Sequence, residues 1–109
     1  MVSLPITWPT AKIEVFCNQW LVSELSLFGS VLRSDFHSDS DIDILIAFRP
    51  DSDWSLFDHV RMQQTLSTLL NRKVDLVSKR AIERSRNPIR KKNILSTAQV
   101  IYSQNAYAS

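Results

Sequence analysis

The chain contains a single glycine, Gly29, among its 109 residues. Average usage of roughly 7% predicts about eight glycines in a chain of this length. Glycine lacks a Cβ atom, so it allows backbone conformations and close approaches that other residues do not. The fold must therefore build nearly all of its turns from Pro, Asn, Asp and Ser, and the one turn that keeps glycine is a candidate functional site.

The composition is that of one compact domain. Hydrophobic residues make up 44% of the chain, enough for one core, and we expect a single domain over residues 1–109 with frayed ends at 1–8 and 103–109. The net charge of +2 gives no reason by itself to expect direct nucleic-acid binding. No membrane span or signal peptide is recognisable, which favours a cytoplasmic protein. The only cysteine, Cys17, excludes an intrachain disulfide and is expected to be a small buried apolar side chain.

Hydrophobic periodicity predicts alternating helices and strands. A helix opens at Pro9-Thr10, and its apolar stripe comprises Ile13, Phe16, Cys17, Trp20 and Leu21. A capping box at 55–58 predicts a long helix to about Leu70, and Asn87-Pro88 predicts a short helix to about Leu95. Strands are predicted at 24–28, 41–48, 74–77 and 98–102, with a short helix at 30–34, a polar loop at 35–40 and a basic connection at 79–86. The predicted fold class is α/β, a small mixed sheet flanked by helices.

Two aspartates, Asp41 and Asp43, begin the most apolar predicted strand. Because strand side chains alternate between faces, both carboxylates point to one face, while Ile42 and Ile44 point into the core. Carboxylates that share a face repel each other unless a cation lies between them. Magnesium prefers oxygen ligands, so the pair suits one or two Mg²⁺ ions. A solvated strand end is the simpler alternative for this pair taken alone.

A third aspartate, Asp75, lies between Val74 and Leu76 in a predicted strand and faces away from both. If this strand neighbours the strand of Asp41 and Asp43, three carboxylates share one face of the sheet. Sites that place two metal ions about 3.5–4 Å apart stabilise the attacking and leaving oxygens of an in-line displacement. A metal-ligand role is therefore one interpretation of Asp75, and an edge-strand charge is the other.

The Gly29-Ser30 turn follows a predicted strand and precedes a predicted helix. Backbone N–H groups at such a turn point outward, and the helix dipole favours an anion. Gly29 lets a phosphate approach, and the Ser30 hydroxyl can donate a hydrogen bond to it. Arg33, three residues further on, either reaches a triphosphate through its guanidinium or is solvated. The alternative for the turn as a whole is an ordinary connection.

These features combine into the spacing G-S-x10-D-x-D, from Gly29 to Asp43. With the neighbouring residues 27–33 and 39–45, this segment closely resembles the signature of the polymerase-β-like nucleotidyltransferase superfamily. It looks most like the minimal nucleotidyltransferase (MNT) group of prokaryotic antitoxins. The resemblance extends through residues 74–77 and 87–89 to 100–102.

The resemblance implies an enzyme that uses ATP and magnesium to transfer AMP. It implies that Gly29 and Ser30 hold the β- and γ-phosphates and that Asp41 and Asp43 hold Mg²⁺. It further implies that Asp75 joins one metal ion and accepts the proton of the attacking hydroxyl. Such chemistry needs positioning and charge neutralisation more than covalent catalysis.

The resemblance also implies a protein partner. Larger nucleotidyltransferases add a second domain that binds the acceptor, and 109 residues leave no room for one. In the MNT group the acceptor is a tyrosine of a HEPN-domain toxin, an all-helical ribonuclease. Two other hypotheses remain open, namely a non-catalytic antitoxin that acts by occlusion and a small nucleotide- or RNA-binding domain.

Basic residues concentrate near the C-terminal end of the chain. Such a run is usually a solvated face, and we expect it to dock a partner or steer a nucleotide. No aromatic residue interrupts it, which argues against a base-stacking platform. The run comprises Lys79, Arg80, Arg84, Arg86, Arg90, Lys91 and Lys92.

His37 is expected in a loop and His59 on a helix surface. Trp8, Trp20 and Trp54 are expected to be core or interface anchors.

Overall fold

Four strands and four helices are present in a computed structural model, which describes residues 9–29, 41–50 and 52–103. In chain order they are α1 (Thr10–Gln19), β1 (Val22–Phe28), β2 (Ile42–Phe48), α2 (Leu56–Leu70), β3 (Val74–Ser78), α3 (Lys79–Glu83), α4 (Pro88–Thr97) and β4 (Gln99–Ser103). The strands form one sheet in the order β3-β2-β1-β4. Strands β2 and β3 are parallel, and the other neighbouring pairs are antiparallel. The predicted α/β class with a small mixed sheet is confirmed.

Apolar side chains are buried on both faces of the sheet. Helices α1 and α2 cover the first face, where the main core receives the alternating isoleucines of β2. Helices α3 and α4 pack on the second face through Ile82 and Ile94, which contact Phe28 and Leu45. The main core includes Ile13, Phe16, Cys17, Leu25, Leu27, Ile42, Ile44, Ile46, Met62, Leu66 and Leu70.

The turns confirm that the chain manages largely without glycine. Helix α2 ends at Asn71, which takes the left-handed conformation that glycine often supplies at this position. Leu21, between α1 and β1, also has a positive φ, of 56°. A positive φ alone therefore does not explain why the one glycine of the chain stands at position 29.

Helix α2 confirms the predicted capping box, and only part of its apolar residues are buried. The Ser55 side chain accepts a hydrogen bond from the Asp58 backbone N–H, and the Asp58 carboxylate accepts one from the Ser55 backbone N–H. Met62, Leu66 and Leu70 are buried at intervals of four residues. Phe57 and Val60, two further apolar residues of this helix, are 84% and 43% exposed. The first turn of the helix therefore presents its apolar side chains to solvent.

Residues 79–86 are not only a basic connection, because Lys79–Glu83 forms α3. Ser78 caps this helix, and Ile82 is its only buried side chain, so the charged residues conceal its periodicity. Helix α4 begins as predicted, since the Asn87 side chain accepts from the Arg90 backbone N–H, but it runs on to Thr97. The predicted helix at 30–34 and loop at 35–40 lie outside the described residues, as do 1–8 and 104–109.

Cys17 and two tryptophans take the structural positions expected of them. Burial, with a smaller contribution from Glu14, raises the pKa of the Cys17 thiol to about 12, so the group stays protonated and unreactive at neutral pH. Trp20 and Trp54 meet edge to face with ring centroids 5.0 Å apart. The Trp54 indole N–H donates to the Trp20 carbonyl at 2.9 Å, which anchors the segment before α2 to the end of α1.

No helix in ranges 9–29, 41–50 and 52–103 combines the length and apolarity needed to cross a bilayer.

Candidate active site

Asp43 and Asp75 are direct neighbours across the parallel strands β2 and β3. Paired residues on adjacent strands lie about 4.8 Å apart and point to the same face. Ile42 and Val74 form the preceding pair and are buried in the main core, so the two aspartates face the opposite side. Asp43 is partly exposed and Asp75 is exposed. The strand of Asp75 is thus a direct neighbour of the strand of Asp43, which is the condition that a shared carboxylate face requires.

The two carboxylates lie at the rim of the second core. One step further along the same face, Leu45 is buried and Val77 packs against the same cluster, under α3 and α4. Phe28 of β1 pairs with Asp43 in the antiparallel register and belongs to this core as well. The acidic pair thus has a rigid apolar floor on one side and solvent on the other.

Gly29 directly follows β1 and lies against the Asp43 carboxylate. Its φ is +75°, a conformation that side-chain-bearing residues rarely adopt. A Cβ atom built on Gly29 would overlap Asp43 Oδ2 and would stand 3.1 Å from Asp43 Cγ. The chain therefore needs glycine here both for the backbone conformation and for the space that the carboxylate occupies.

Asp41 lies just before β2 and is exposed. The Ile42 backbone N–H donates to the Lys73 carbonyl at 2.9 Å, which ties the starts of β2 and β3 together at this end of the sheet. Over residues 9–29, 41–50 and 52–103, no three His, Cys, Asp or Glu side chains stand close enough to hold one metal ion together. The pairing of Asp43 with Asp75 is thus built into the sheet, whereas a three-carboxylate cluster is not preformed.

Three polar side chains of α2 hold the outer edge of β3, a role that was not predicted from the sequence. The Leu76 backbone N–H donates to Gln63 Oε1 at 2.9 Å, and its carbonyl lies 2.8 Å from His59 Nε2. The Val74 backbone N–H donates to Ser67 Oγ at 3.1 Å. These contacts bracket Asp75 on either side, so α2 fixes the backbone that carries this carboxylate. A spacing of four residues between positions 59, 63 and 67 was the available signal.

The basic run is partly structural. Lys79 Nζ stands 3.8 Å from the Glu24 carboxylate, and Lys91 Nζ donates to the Glu83 carbonyl at 3.0 Å. These contacts connect α3 to β1 and α4 to α3. Arg90 lines a cleft beside Gly29. Four residues named from the sequence, Ser30, Arg33, His37 and Trp8, lie outside the described part of the chain.

Comparison with known proteins places this geometry in a family. The nucleotidyltransferase domain model matches residues 11–101. Protein adenylyltransferase MntA of Thermococcus cleftensis is 37% identical over 74 residues, which span 68% of this chain and 73% of that protein. A Methanocaldococcus jannaschii relative, named as a candidate protein adenylyltransferase, is 32% identical over 81 residues, spanning 74% of this chain and 78% of the relative.

Solved structures agree with the sequence relatives. A structure described as a minimal nucleotidyltransferase has a TM-score of 0.60 and 33% identity, and the match covers 82% of this chain and 88% of that one. A toxin–antitoxin crystal structure with AMP-PNP has a TM-score of 0.68 and covers 91% of this chain and 77% of that chain, at 21% identity. A tri-AMPylated HEPN toxin from Shewanella oneidensis in complex with its MNT antitoxin matches with a TM-score of 0.59 at 20% identity, covering 88% of this chain and 71% of that chain. The last two, at this level of identity, show a shared fold.

Proposed function

Because the chain belongs to the nucleotidyltransferase domain family, we propose that it transfers AMP from ATP to a tyrosine hydroxyl of a HEPN-domain toxin and serves as that toxin's antitoxin. The observation that carries the proposal is the register pair Asp43–Asp75 with Gly29 packed against it. The names of the adenylyltransferase relatives support the chemistry. The toxin–antitoxin complexes among the structural neighbours support the partner.

The donor set fits magnesium that arrives with its nucleotide. Magnesium in nucleotide sites typically takes one or two carboxylates and completes its shell with water and phosphate oxygens. Asp43 and Asp75 provide such a pair, and Asp41 is the third candidate ligand at the same end of the sheet. Bound there, one or two Mg²⁺ ions would neutralise charge on the triphosphate.

In the proposed reaction, an acceptor hydroxyl oxygen forms a bond to the α-phosphorus of ATP. The bond from that phosphorus to the oxygen bridging to the β-phosphate breaks, and pyrophosphate leaves. Asp75 accepts the hydroxyl proton, which its solvent exposure allows even when the acceptor belongs to another chain. Gly29 and Ser30 bind the β- and γ-phosphates through backbone N–H groups and the serine hydroxyl, and Arg33 contributes a guanidinium.

The partner contact that we propose is the exposed first turn of α2. Leu56 and Phe57 are 80% and 84% exposed, and Val60 lies within one helical turn of both. Adjacent apolar side chains with this exposure are typical of a protein-binding surface. The same surface supports the second candidate function, in which occlusion alone neutralises the toxin. In either case we place the complex in the cytoplasm.

Intact-mass measurement of the partner toxin tests the catalytic proposal. With ATP and Mg²⁺, we expect the wild-type chain to add the mass of one or more AMP groups. The double variant Asp41→Asn, Asp43→Asn should add none, with little loss of thermal stability, because relief of carboxylate repulsion offsets lost contacts. The matched control is Asp53→Asn, which removes an exposed carboxylate beyond the other end of β2 and should keep full transfer.

Two results would count against this proposal. An unmodified partner after incubation with the wild-type chain contradicts AMP transfer, and full transfer by the double variant contradicts the role of the aspartates. If the double variant transfers nothing but still protects cells from the toxin, occlusion is the sufficient mechanism. Loss of that protection in Phe57→Ser would then place the contact on α2.

A further inference from the structure

A cleft of about 690 Å³ opens next to Gly29, on the face of the sheet that α4 covers. Phe28 and Gly29, at the end of β1, form one wall, and successive turns of α4 form the other. The volume lies within the range of small-molecule sites, which is roughly 300–1,000 Å³. Gly29 therefore borders two features at once, the Asp43 carboxylate and this cleft.

The described side chains of the cleft offer the apolar surface that a nucleoside needs. Arg90 is the cation that they contribute. Apolar surface comes from Phe28, Ile89 and Ile94. Ile89 is 74% exposed although it faces this cleft, so a bound planar ring would remove apolar surface from water there.

Asn93 supplies the polar recognition in the same cleft. Its backbone carbonyl accepts hydrogen bonds from the Ser96 and Thr97 hydroxyls, whereas its side-chain amide makes no hydrogen bond within the described part of the chain. An asparagine amide presents a donor and an acceptor side by side, which matches the N6–H and N7 atoms of adenine. Asn87, by contrast, already uses its side-chain oxygen to cap α4.

We propose that this cleft holds the purine nucleoside of the donor nucleotide, with Asn93 on the adenine edge and Ile89 against the ring. The inference rests on the proposed function, since Gly29 must hold the phosphates for the nucleoside to enter the cleft. It gives Ile89 and Asn93 of α4 a binding role, beyond the basic residues of this helix that the sequence singled out.

Calorimetric titration with two probes, ATP and inorganic tripolyphosphate, tests this inference in the presence of Mg²⁺. We expect the wild-type chain to bind ATP more tightly than tripolyphosphate. Asn93→Ala should weaken ATP binding by about tenfold, the contribution of a hydrogen bond, and leave tripolyphosphate binding unchanged. Ile89→Ala should act in the same direction. The control Ser96→Ala alters an exposed α4 hydroxyl outside the cleft and should change neither affinity.

The outcomes separate this inference from the proposed function. If the wild-type chain binds ATP but both cleft variants bind it equally well and melt normally, the nucleoside lies elsewhere and the proposed function stands. If the variants lose ATP and tripolyphosphate affinity in equal measure, the cleft binds phosphates and the inference is overturned. If the wild-type chain binds neither probe, the nucleotidyltransferase proposal itself fails, and this inference with it.

Discussion

Gly29 is constrained both by its backbone conformation and by its contact with the Asp43 carboxylate. The positive φ of +75° and the contact with Asp43 Oδ2 leave no room for a methyl group. In Gly29→Ala we expect the Asp43 carboxylate to shift and AMP transfer to fall at least tenfold. The unfolding free energy should fall by only about 1–2 kcal/mol, because one strained residue and one displaced, partly exposed side chain are involved.

Kinetics and chemical denaturation together check this prediction. A matched control is Ser23→Ala, a small change at the other end of β1, which should leave both transfer rate and stability close to wild type. Full activity in Gly29→Ala would show that Asp43 does not need the position it has in this structure.

At the scale of the element, β3 shows how an edge strand is fixed by a helix. An unpaired strand edge exposes N–H and C=O groups that need partners. Gln63, Ser67 and His59 on α2 supply them. Because Asp75 lies between the residues so bound, the helix contributes to the geometry of the carboxylate pair without touching it.

Gln63→Ala tests this positioning role. The variant removes the acceptor of the Leu76 N–H, which we expect to lower the unfolding free energy by about 1–3 kcal/mol. Transfer should fall through the catalytic rate more than through the Michaelis constant for ATP, since Asp75 is displaced while the phosphate turn is not. Gln64→Ala, the adjacent and exposed glutamine, is the matched control and should be neutral. Equal losses in both variants would indicate a general effect on the helix.

Local pattern was enough to predict some of these elements and not others. The alternation in β2 and the apolar neighbours of Asp75 predicted which face Asp43 and Asp75 take, because strand geometry has a period of two. The roles of Gln63 and Ser67 were not predicted, since a polar residue on an amphipathic helix normally faces solvent, and the spacing of four residues between positions 59, 63 and 67 is a weak signal. Helix α3 was missed because Ile82 is its single buried residue, too few to define a period. The exposure of Phe57 was also missed, because nothing local shows that the sheet does not reach the first turn of α2.

In the molecule as a whole, the two buried cores that stabilise the fold are distinct from the surfaces of the candidate functional sites. The main core under α1 and α2 makes the sheet rigid, and the smaller core under α3 and α4 stops at the rim where Asp43 and Asp75 emerge. The acidic pair, the cleft beside α4 and the exposed turn of α2 each remain open to other molecules. In the proposed function, the acidic pair and the cleft hold the nucleotide while the partner protein presents the acceptor.

A crystal structure of the chain with Mg²⁺ and a non-hydrolysable ATP analogue tests the central claim most directly. The account predicts a metal ion bound by the carboxylates of both Asp43 and Asp75, at the roughly 2.0–2.1 Å typical of magnesium. It also predicts a phosphate group against the Gly29 backbone. A metal–nucleotide complex bound elsewhere on the chain, with Asp75 contacting only solvent, would contradict it.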